Sequence, residues 1–377
     1  MAAKTRVVIV GGGVLGTMHA VEARGRGFEV VQLERETEPR GASVRNFGLV
    51  WVSGRRAGPE LSLALRAREL WSELGAKVPG LGFRAAGSLT LAASDAELSL
   101  LKEAAARPDA ERRGFELLDP VAVRAVNPAL RGEFAGGLHG RLDAIVEPRQ
   151  VLPALRGYLA AGCQGQGGYE WLPGREVTEI APNAVRDHTG AWHQCDLVIL
   201  CPGAAHTGIA GRYLARGGGV RRVRLQMMQT VPLEARVTTA LADGDSLRYY
   251  PAFDLPGRAA LPPQPPAAAR ARAQLLLVQR ADGGLTIGDT HEYAEPFAFD
   301  LDEDAYDHLR ARAEALLGGP LPRVQRRWAG VYSELEPAAA GRALYHRAEV
   351  EPGVVLVTGP GGRGMTCSPA IAEETFR

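Results

Sequence analysis

Cysteine is scarce in this chain, with 4 among 377 residues, and Cys163, Cys195, Cys201 and Cys367 show no Cys-x-x-Cys spacing. That pattern excludes a disulfide framework and a zinc ribbon, and the apolar stretches around these residues point to buried free thiols. No cluster has metal-ligand spacing, so no metal is expected. Long hydrophobic runs are also missing. None approaches the ~20 residues of a membrane-spanning helix, and the early run Val7 to Val10 enters a glycine turn, not a small-residue cleavage site, so the chain reads as cytoplasmic. An excess of either charge is absent too: 44 basic residues face 43 acidic ones. This argues against a nucleic-acid or membrane surface and leaves anion recognition to local sites, although arginine far outnumbers lysine.

What is present is a large apolar fraction, 46%, and 46 glycines. A chain of this size can bury a substantial core and form two domains, woven together or separate. The most organised stretch is N-terminal. Arg6-Val7-Val8-Ile9-Val10 runs into Gly11-Gly12-Gly13-Val14-Leu15-Gly16, and Val30-Val31-Gln32-Leu33-Glu34 follows. A β-branched run, Gly-x-Gly-x-x-Gly, a helix and an acid about twenty residues on form the fingerprint of a dinucleotide-binding βαβ unit. Gly11 permits the tight turn, Gly13 lets the backbone approach a pyrophosphate, and Gly16 lets the helix pack on the strand. The helix N-terminus at Val14 and Leu15 offers N–H groups and positive dipole to the anion, and Glu34 is placed for ribose hydroxyls.

Further along, Pro59 opens a helix with Leu63, Leu70, Trp71 and Leu74 on one face. Ser94 and Glu97 form a capping box, and Asp119-Pro120 starts a helix that stops near Pro128. A helix over Leu152 to Leu159 leads to a strand at Glu176 to Ile180. The apolar run Asp196 to Cys201 then reads as a strand buried on both faces. Between Val220 and Gly330, alternation and turn signals predict an antiparallel sheet from Val223–Val231, Ser246–Ala252, Leu275–Gln279 and Leu285–Gly288. The proline-rich piece Leu261 to Pro266 reads as a mobile surface loop, and a helix over Asp302 to Leu317 covers the sheet with Tyr306, Leu309, Ala313 and Leu316. Val354 to Thr358 enters a second glycine junction, Gly359 to Thr366, and a final helix. A simple NAD-binding domain has no need of that second cradle.

These pieces together resemble the FAD-dependent amine oxidoreductases related to D-amino-acid, glycine and sarcosine oxidases. The matching motifs are the glycine fingerprint with Glu34-Arg35, Gly41-Ala42-Ser43, Val198 to Ala204, Thr286 to Thr290, Arg327-Trp328-Ala329-Gly330 and Gly359 to Thr366. The resemblance implies an α/β (mixed α+β) fold in which a Rossmann-like FAD-binding domain (1–85, 145–220 and 335–377) is interwoven with an antiparallel-sheet substrate domain (86–144 and 221–334). It places Ser43, Arg45, Asn46, Val177, Cys201 and Gly203 at the cofactor. It also assigns the flavin edge to Gly361, Gly362, Gly364, Met365 and Thr366. Ser43 to Gly48, Leu225 to Met228, Arg248 to Phe253, Gly288 to Tyr293 and Gly364 to Thr366 look like one clade, associated with aminophosphonate catabolism, whose members are thought to oxidise the C–N bond of 2-aminoethylphosphonate-like amines.

The resemblance also has departures. Where glycine and D-amino-acid oxidases carry a carboxylate-gripping arginine, this chain has Tyr332, and where sarcosine oxidases carry the covalent flavin cysteine it has Gly330. The first implies a different anchor for the substrate anion, the second a non-covalent FAD. Arg45, Arg248 and Arg363 stand in the distinctive motifs, and forked guanidinium donors suit a phosphonate. Gln226, Tyr250, His291 and Tyr332 are the neutral lining. Each has a plain alternative: Arg45 pairing with a local acid, Asn46 making a turn, His291 a satisfied structural residue, and Tyr249 or Tyr250 core. An ordinary amino-acid or sarcosine oxidase, and a dehydrogenase subunit passing electrons to a partner, remain open as alternatives.

Overall fold

The computed structural model describes residues 4–162, 168–215, 219–337 and 343–377, so Cys163 lies outside the described residues. The β-branched run Arg6–Val10 forms a strand with Val7, Val8 and Ile9 fully buried. It lies inside a six-stranded sheet ordered His346–Glu351, Val354–Thr358, Leu197–Leu200, Arg6–Val10, Glu29–Glu34 and Tyr169–Pro173. Every pairing is parallel except that of His346–Glu351 with Val354–Thr358. Val8 sits between Val31 and Val198, so the glycine fingerprint and the Leu197–Leu200 strand end side by side. Burial on both faces accounts for the unbroken apolar runs.

Helix Val14–Gly25 packs against the C-terminal helix Gly364–Thr375, which in turn packs on Pro59–Lys77. The last contact is pinned by the fully buried Trp71, whose Nε1 donates to the carbonyls of Met365 and Thr366, each at 3.0 Å. Leu63 and Leu74 join Trp71 on the buried face, while Leu70 is half-buried. The capping box of Ser94 and Glu97 and the Asp119 cap of Pro120–Val126 form as the sequence indicates.

The second sheet has eight strands in the order Val324–Leu335, Val220–Pro232, Gly284–Gly288, Leu276–Gln279, Ala240–Ala242, Ser88–Ala92, Gly136–Gly140 and Phe115–Leu118. All pairs are antiparallel except Ala240–Ala242 with Ser88–Ala92. Helix Glu303–Leu317, capped by Asp302, buries Tyr306, Leu309, Ala313 and Leu316 on this sheet. Burial of Leu309 and Leu316 stabilises by about 1.5–3 kcal/mol each.

Two expectations fail locally. Ser246–Ala252 is not a strand: Ser246–Tyr249 is one helical turn and Pro251–Phe253 a 3-10 turn. The Asp243-Gly244-Asp245 turn sends its carbonyls to the amides of Ser246, Leu247 and Arg248, and Pro251 has no N–H for a ladder. The proline-rich stretch is not wholly a surface loop, because Leu261 is buried in the core and Pro266–Ala271 is a short helix with Ala268 buried. Among the described residues, no helix is long and apolar enough to cross a membrane.

Candidate active site

The glycines of the first loop have separable tasks. Gly11 adopts φ +117°, and a Cβ there would lie 2.3 Å from the Cys201 carbonyl oxygen. A Cβ on Gly16 would lie 2.0 Å from the Gly11 carbonyl oxygen, so that glycine is what lets helix Val14–Gly25 start against the strand. Gly13 differs. A Cβ there would meet only the Ser43 Oγ, at 3.2 Å, and as N-cap it supplies no side-chain acceptor to the helix. Ser43 Oγ accepts from Val14 N at 2.9 Å, and Glu34 accepts from Gly12 N through Oε2 at 2.6 Å.

A cavity of 840 Å³ runs from this loop to the C-terminal glycine turn, near the upper end of the ~300–1,000 Å³ of small-molecule sites. Its wall includes Gly11, Gly13, Val14, Leu15, Gly16, Glu34 and Arg35 at one end, then Ser43, Arg45, Asn46, Val177, Cys201 and Gly203, and Gly361, Gly362, Gly364, Met365 and Thr366 at the other. Thr366 Oγ1 accepts from Trp51 N at 2.9 Å and from Arg55 Nη2 at 3.2 Å. Asn46 spends its amide on its own loop, donating to Ala42 and Ser43 and accepting from Gly48. Cys195, Cys201 and Cys367 are buried free thiols; burial pushes Cys195 and Cys367 up to about 11 and Cys201 higher still, so none is a poised thiolate.

These features fit an extended dinucleotide. A helix N-terminus whose N-cap glycine has no side chain, with Ser43 holding only its first amide, faces the cavity where the missing Cβ leaves the approach open, and an acid closes the second strand. Among the described residues no cluster of histidine, cysteine, aspartate and glutamate could hold a metal.

Tyr250, His291 and Tyr332 also line the cavity, joined by Tyr249. The Tyr249 ring stacks on His291 at 4.1 Å, its hydroxyl lies 3.5 Å from that of Tyr332, and it meets Tyr250 edge-on at 5.1 Å. Both adjacent tyrosines reach the cavity because they sit on a helical turn, not an alternating strand. Burial holds Tyr249, Tyr250 and Tyr332 well above the usual phenol range, so they act as neutral hydroxyls. The His291 Nδ1 donates to the Arg272 carbonyl at 3.3 Å, which in the neutral ring leaves Nε2 as an acceptor.

Two expected lining residues lie elsewhere. Gln226 sits between Leu225 and Met227, which face the cavity, so the strand's alternation turns it away, and its Oε1 accepts from Asp302 N at 2.7 Å. Arg248, on the helical turn, donates to the Pro262 carbonyl and stands 3.8 Å from Asp245. Arg45 does line the cavity; its Nη1 donates to the Ala329 carbonyl at 2.8 Å, and it forms no ion pair among the described residues. Arg363 lines it too, tied to the buried Glu60 at 2.8 Å.

The cavity also contains residues that the sequence reading passed over: Arg55, Glu60, Gln274, Asp289 and Tyr293. Glu60 follows a helix-opening proline, and Asp289 lies inside the Gly288–Tyr293 motif. Those are the signals that could have found them.

The family described as "DAO: FAD dependent oxidoreductase" matches residues 6–377. Over 229 residues the chain is 31% identical to a Rhizobium etli protein whose name places it among thiamine biosynthesis oxidoreductases (ThiO), a match spanning 59% of each chain. Glycine oxidase from Bacillus cereus superposes with a TM-score of 0.76 at 19% identity, covering 98% of this chain and 93% of that one. Iminodiacetate oxidase from Chelativorans sp. BNC1 gives 0.72 at 18% identity, covering 98% and 93%. With the glycine cradle, the paired strands and the second glycine turn joined in one cavity, the chain belongs to the DAO family of FAD-dependent oxidoreductases.

Proposed function

We propose that this enzyme oxidises the C–N bond of a small amine that carries an anionic group, and that the anion is a phosphonate, as in 2-aminoethylphosphonate or its N-methyl form. FAD, when bound, supplies the two-electron acceptor, and the imine product is split by water to aldehyde and amine. The observation that carries the reading is Tyr332, a half-buried neutral hydroxyl facing the cavity beside Tyr249 where a carboxylate clamp would need an arginine. Arg45, with no carboxylate partner among the described residues, is the cation we assign to the phosphonate. The glycines of the first loop and Glu34 would hold the adenosine half of FAD, and Gly361 to Thr366 the flavin edge. Gly330 stands where a covalent link would need cysteine, so FAD is held non-covalently, and acid precipitation should release it. The same reading assigns 1–85, 145–220 and 335–377 to the cofactor domain and 86–144 and 221–334 to the substrate domain.

The names of the glycine and iminodiacetate oxidases favour a second reading, an amino-acid substrate whose carboxylate meets Arg45. Anaerobic mixing with plain and N-methylated 2-aminoethylphosphonate, sarcosine, glycine and D-alanine separates the two. Bleaching of the flavin by the phosphonates supports the first. Fast bleaching by sarcosine or glycine with silence toward phosphonates overturns it.

A further inference from the structure

Seven carboxyl side chains are buried in the described residues: Glu60, Glu97, Asp143, Glu147, Asp187, Asp243 and Asp289. Six of them are visibly compensated. Glu60, Glu147, Asp187 and Asp243 each face an arginine. Asp143 accepts four hydrogen bonds, from the amides of Val52 and Ser53 and the hydroxyls of Ser53 and Ser88. Glu97 caps its own helix through the amides of Ala93 and Ser94.

Asp289 is the exception. It is 6% exposed and lines the cavity, yet its one side-chain partner among the described residues is the neutral amide of Gln274, whose Nε2 donates to Oδ1 at 3.1 Å. The other end of that amide, Gln274 Oε1, is buried without a donor. Asp289 and His291 both line the cavity just past the end of strand Gly284–Gly288, while Thr290 between them turns back to accept from Gln226 N at 3.0 Å. The remaining titratable groups facing Asp289 are Tyr249, Tyr250, Tyr293 and Tyr332, all held neutral by burial. In an arginine-rich chain, an acid this buried and this poorly paired costs stability unless something cationic arrives.

We infer that Asp289 receives the ammonium nitrogen of the substrate and takes one of its protons. The inference rests on the amine-oxidation reading above. In the step, an N–H bond of the ammonium breaks, an O–H bond forms on the Asp289 carboxylate, and the electron pair stays on nitrogen, so that ammonium and carboxylate become amine and carboxylic acid. The lone pair is then available for the C–N bond to gain double-bond character. Gln274 fixes the carboxyl through Oδ1 and leaves Oδ2 for the nitrogen. Burial raises the acid's affinity for a proton, which suits an acceptor that must hold one.

The test is anaerobic stopped-flow reduction of the FAD-loaded enzyme by its amine from pH 5 to 9, for wild type, Asp289→Asn and Asp289→Glu. Wild type should bind the amine more weakly as pH falls and Asp289 protonates. Asp289→Asn should raise the apparent Kd by about 10- to 100-fold and lose that acid limb. An anionic analogue lacking nitrogen, followed by perturbation of the flavin spectrum, should bind the Asn variant at least as tightly as wild type, and Asp289→Glu should recover part of the pH dependence. An enzyme that amines reduce but whose Asn variant keeps the wild-type Kd and pH profile overturns this inference alone. If the Asn variant loses its flavin, a wild-type Kd constant from pH 5 to 8 overturns it. An enzyme that no amine reduces overturns the amine reading and this inference together.

Discussion

Substituting alanine at Gly16 and at Gly13 separates two tasks that one glycine motif combines. At Gly16 the new Cβ would sit 2.0 Å from the Gly11 carbonyl oxygen, well inside the 3.0 Å below which something must shift, and 3.3 Å from Ile9 Cγ2. The obstacle is backbone, so helix Val14–Gly25 must move. Overpacking of this kind costs about 1–3 kcal/mol, offset by up to ~1 kcal/mol from alanine's better helix propensity. Spread over the unfolding entropy of a chain this long, the net loss lowers Tm by roughly 2 °C, in the protein stripped of FAD as well as in the loaded enzyme. At Gly13 the backbone already has φ −71°, which alanine adopts freely, and the Cβ meets only a hydroxyl at 3.2 Å. The FAD-free Tm should therefore stay within about 1 °C, while the methyl enters the approach to the helix N-terminus and weakens FAD binding by about tenfold or more, ~1.4 kcal/mol. Calorimetry of the FAD-free variants and titration of flavin fluorescence read the two effects apart. A Gly13→Ala protein that binds FAD like wild type, or a Gly16→Ala protein with unchanged FAD-free Tm, refutes the assignment.

Three further outcomes are expected. His19 is fully buried, its Nδ1 2.7 Å from the Leu15 carbonyl oxygen, and burial lowers its pKa from 6.5 to about 4. A neutral buried histidine gives stability that is complete above pH 6.5 and lost as pH falls toward 4, a swing of about 3 kcal/mol; His19→Gln should flatten the denaturation midpoint in that window, and an unchanged slope would count against it. Trp71→Phe keeps an aromatic side chain, smaller than the indole, but removes the donor to the Met365 and Thr366 carbonyls, so two buried acceptors lose a partner at about 1–3 kcal/mol, seen as a lower melting temperature and a faster FAD off-rate in stopped-flow. Arg45→Ala should raise KM for a phosphonate-bearing amine at least tenfold, in line with loss of a charge-assisted pair, while leaving KM for an uncharged amine of similar length nearly unchanged; equal losses for both would mean that Arg45 only shapes the loop.

The parts of the site that could be read from the chain are those where a local conformation dictates residue type. Gly11 needs positive φ and Gly16 must lack a side chain, so both leave a mark at fixed spacing. The C-terminal turn is legible for the same reason. Parity across a strand is not local: Gln226 and Met227 look equally eligible until the sheet fixes that Met227 faces inward and Gln226 meets Asp302. Arg248 and the adjacent tyrosines were misplaced because an aromatic, β-favouring run was folded into a helical turn by the acidic Asp243–Asp245 turn before it. Asp289 lies inside a motif the sequence displays, yet its role was hidden for a third reason. Its significance is the lack of an arginine beside it, and a missing partner in space leaves no trace in sequence.

The central strand order carries a consequence for synthesis. Arg6–Val10 and Val354–Thr358 both flank Leu197–Leu200, so the first glycine loop and the turn that completes the cavity are joined through a strand from mid-chain. On a ribosome adding about 5–20 residues per second, roughly 20 to 70 s separate the emergence of the two glycine turns. For about the first half of that interval the nascent chain holds an apolar strand edge open at Arg6–Val10, until Leu197–Leu200 arrives, and throughout it the cavity lacks its C-terminal wall. On the proposed assignment of the C-terminal turn to the flavin edge, cofactor capture is a late event, coupled to docking of the last helix on Trp71, and free FAD at that moment would draw the closing step forward by mass action.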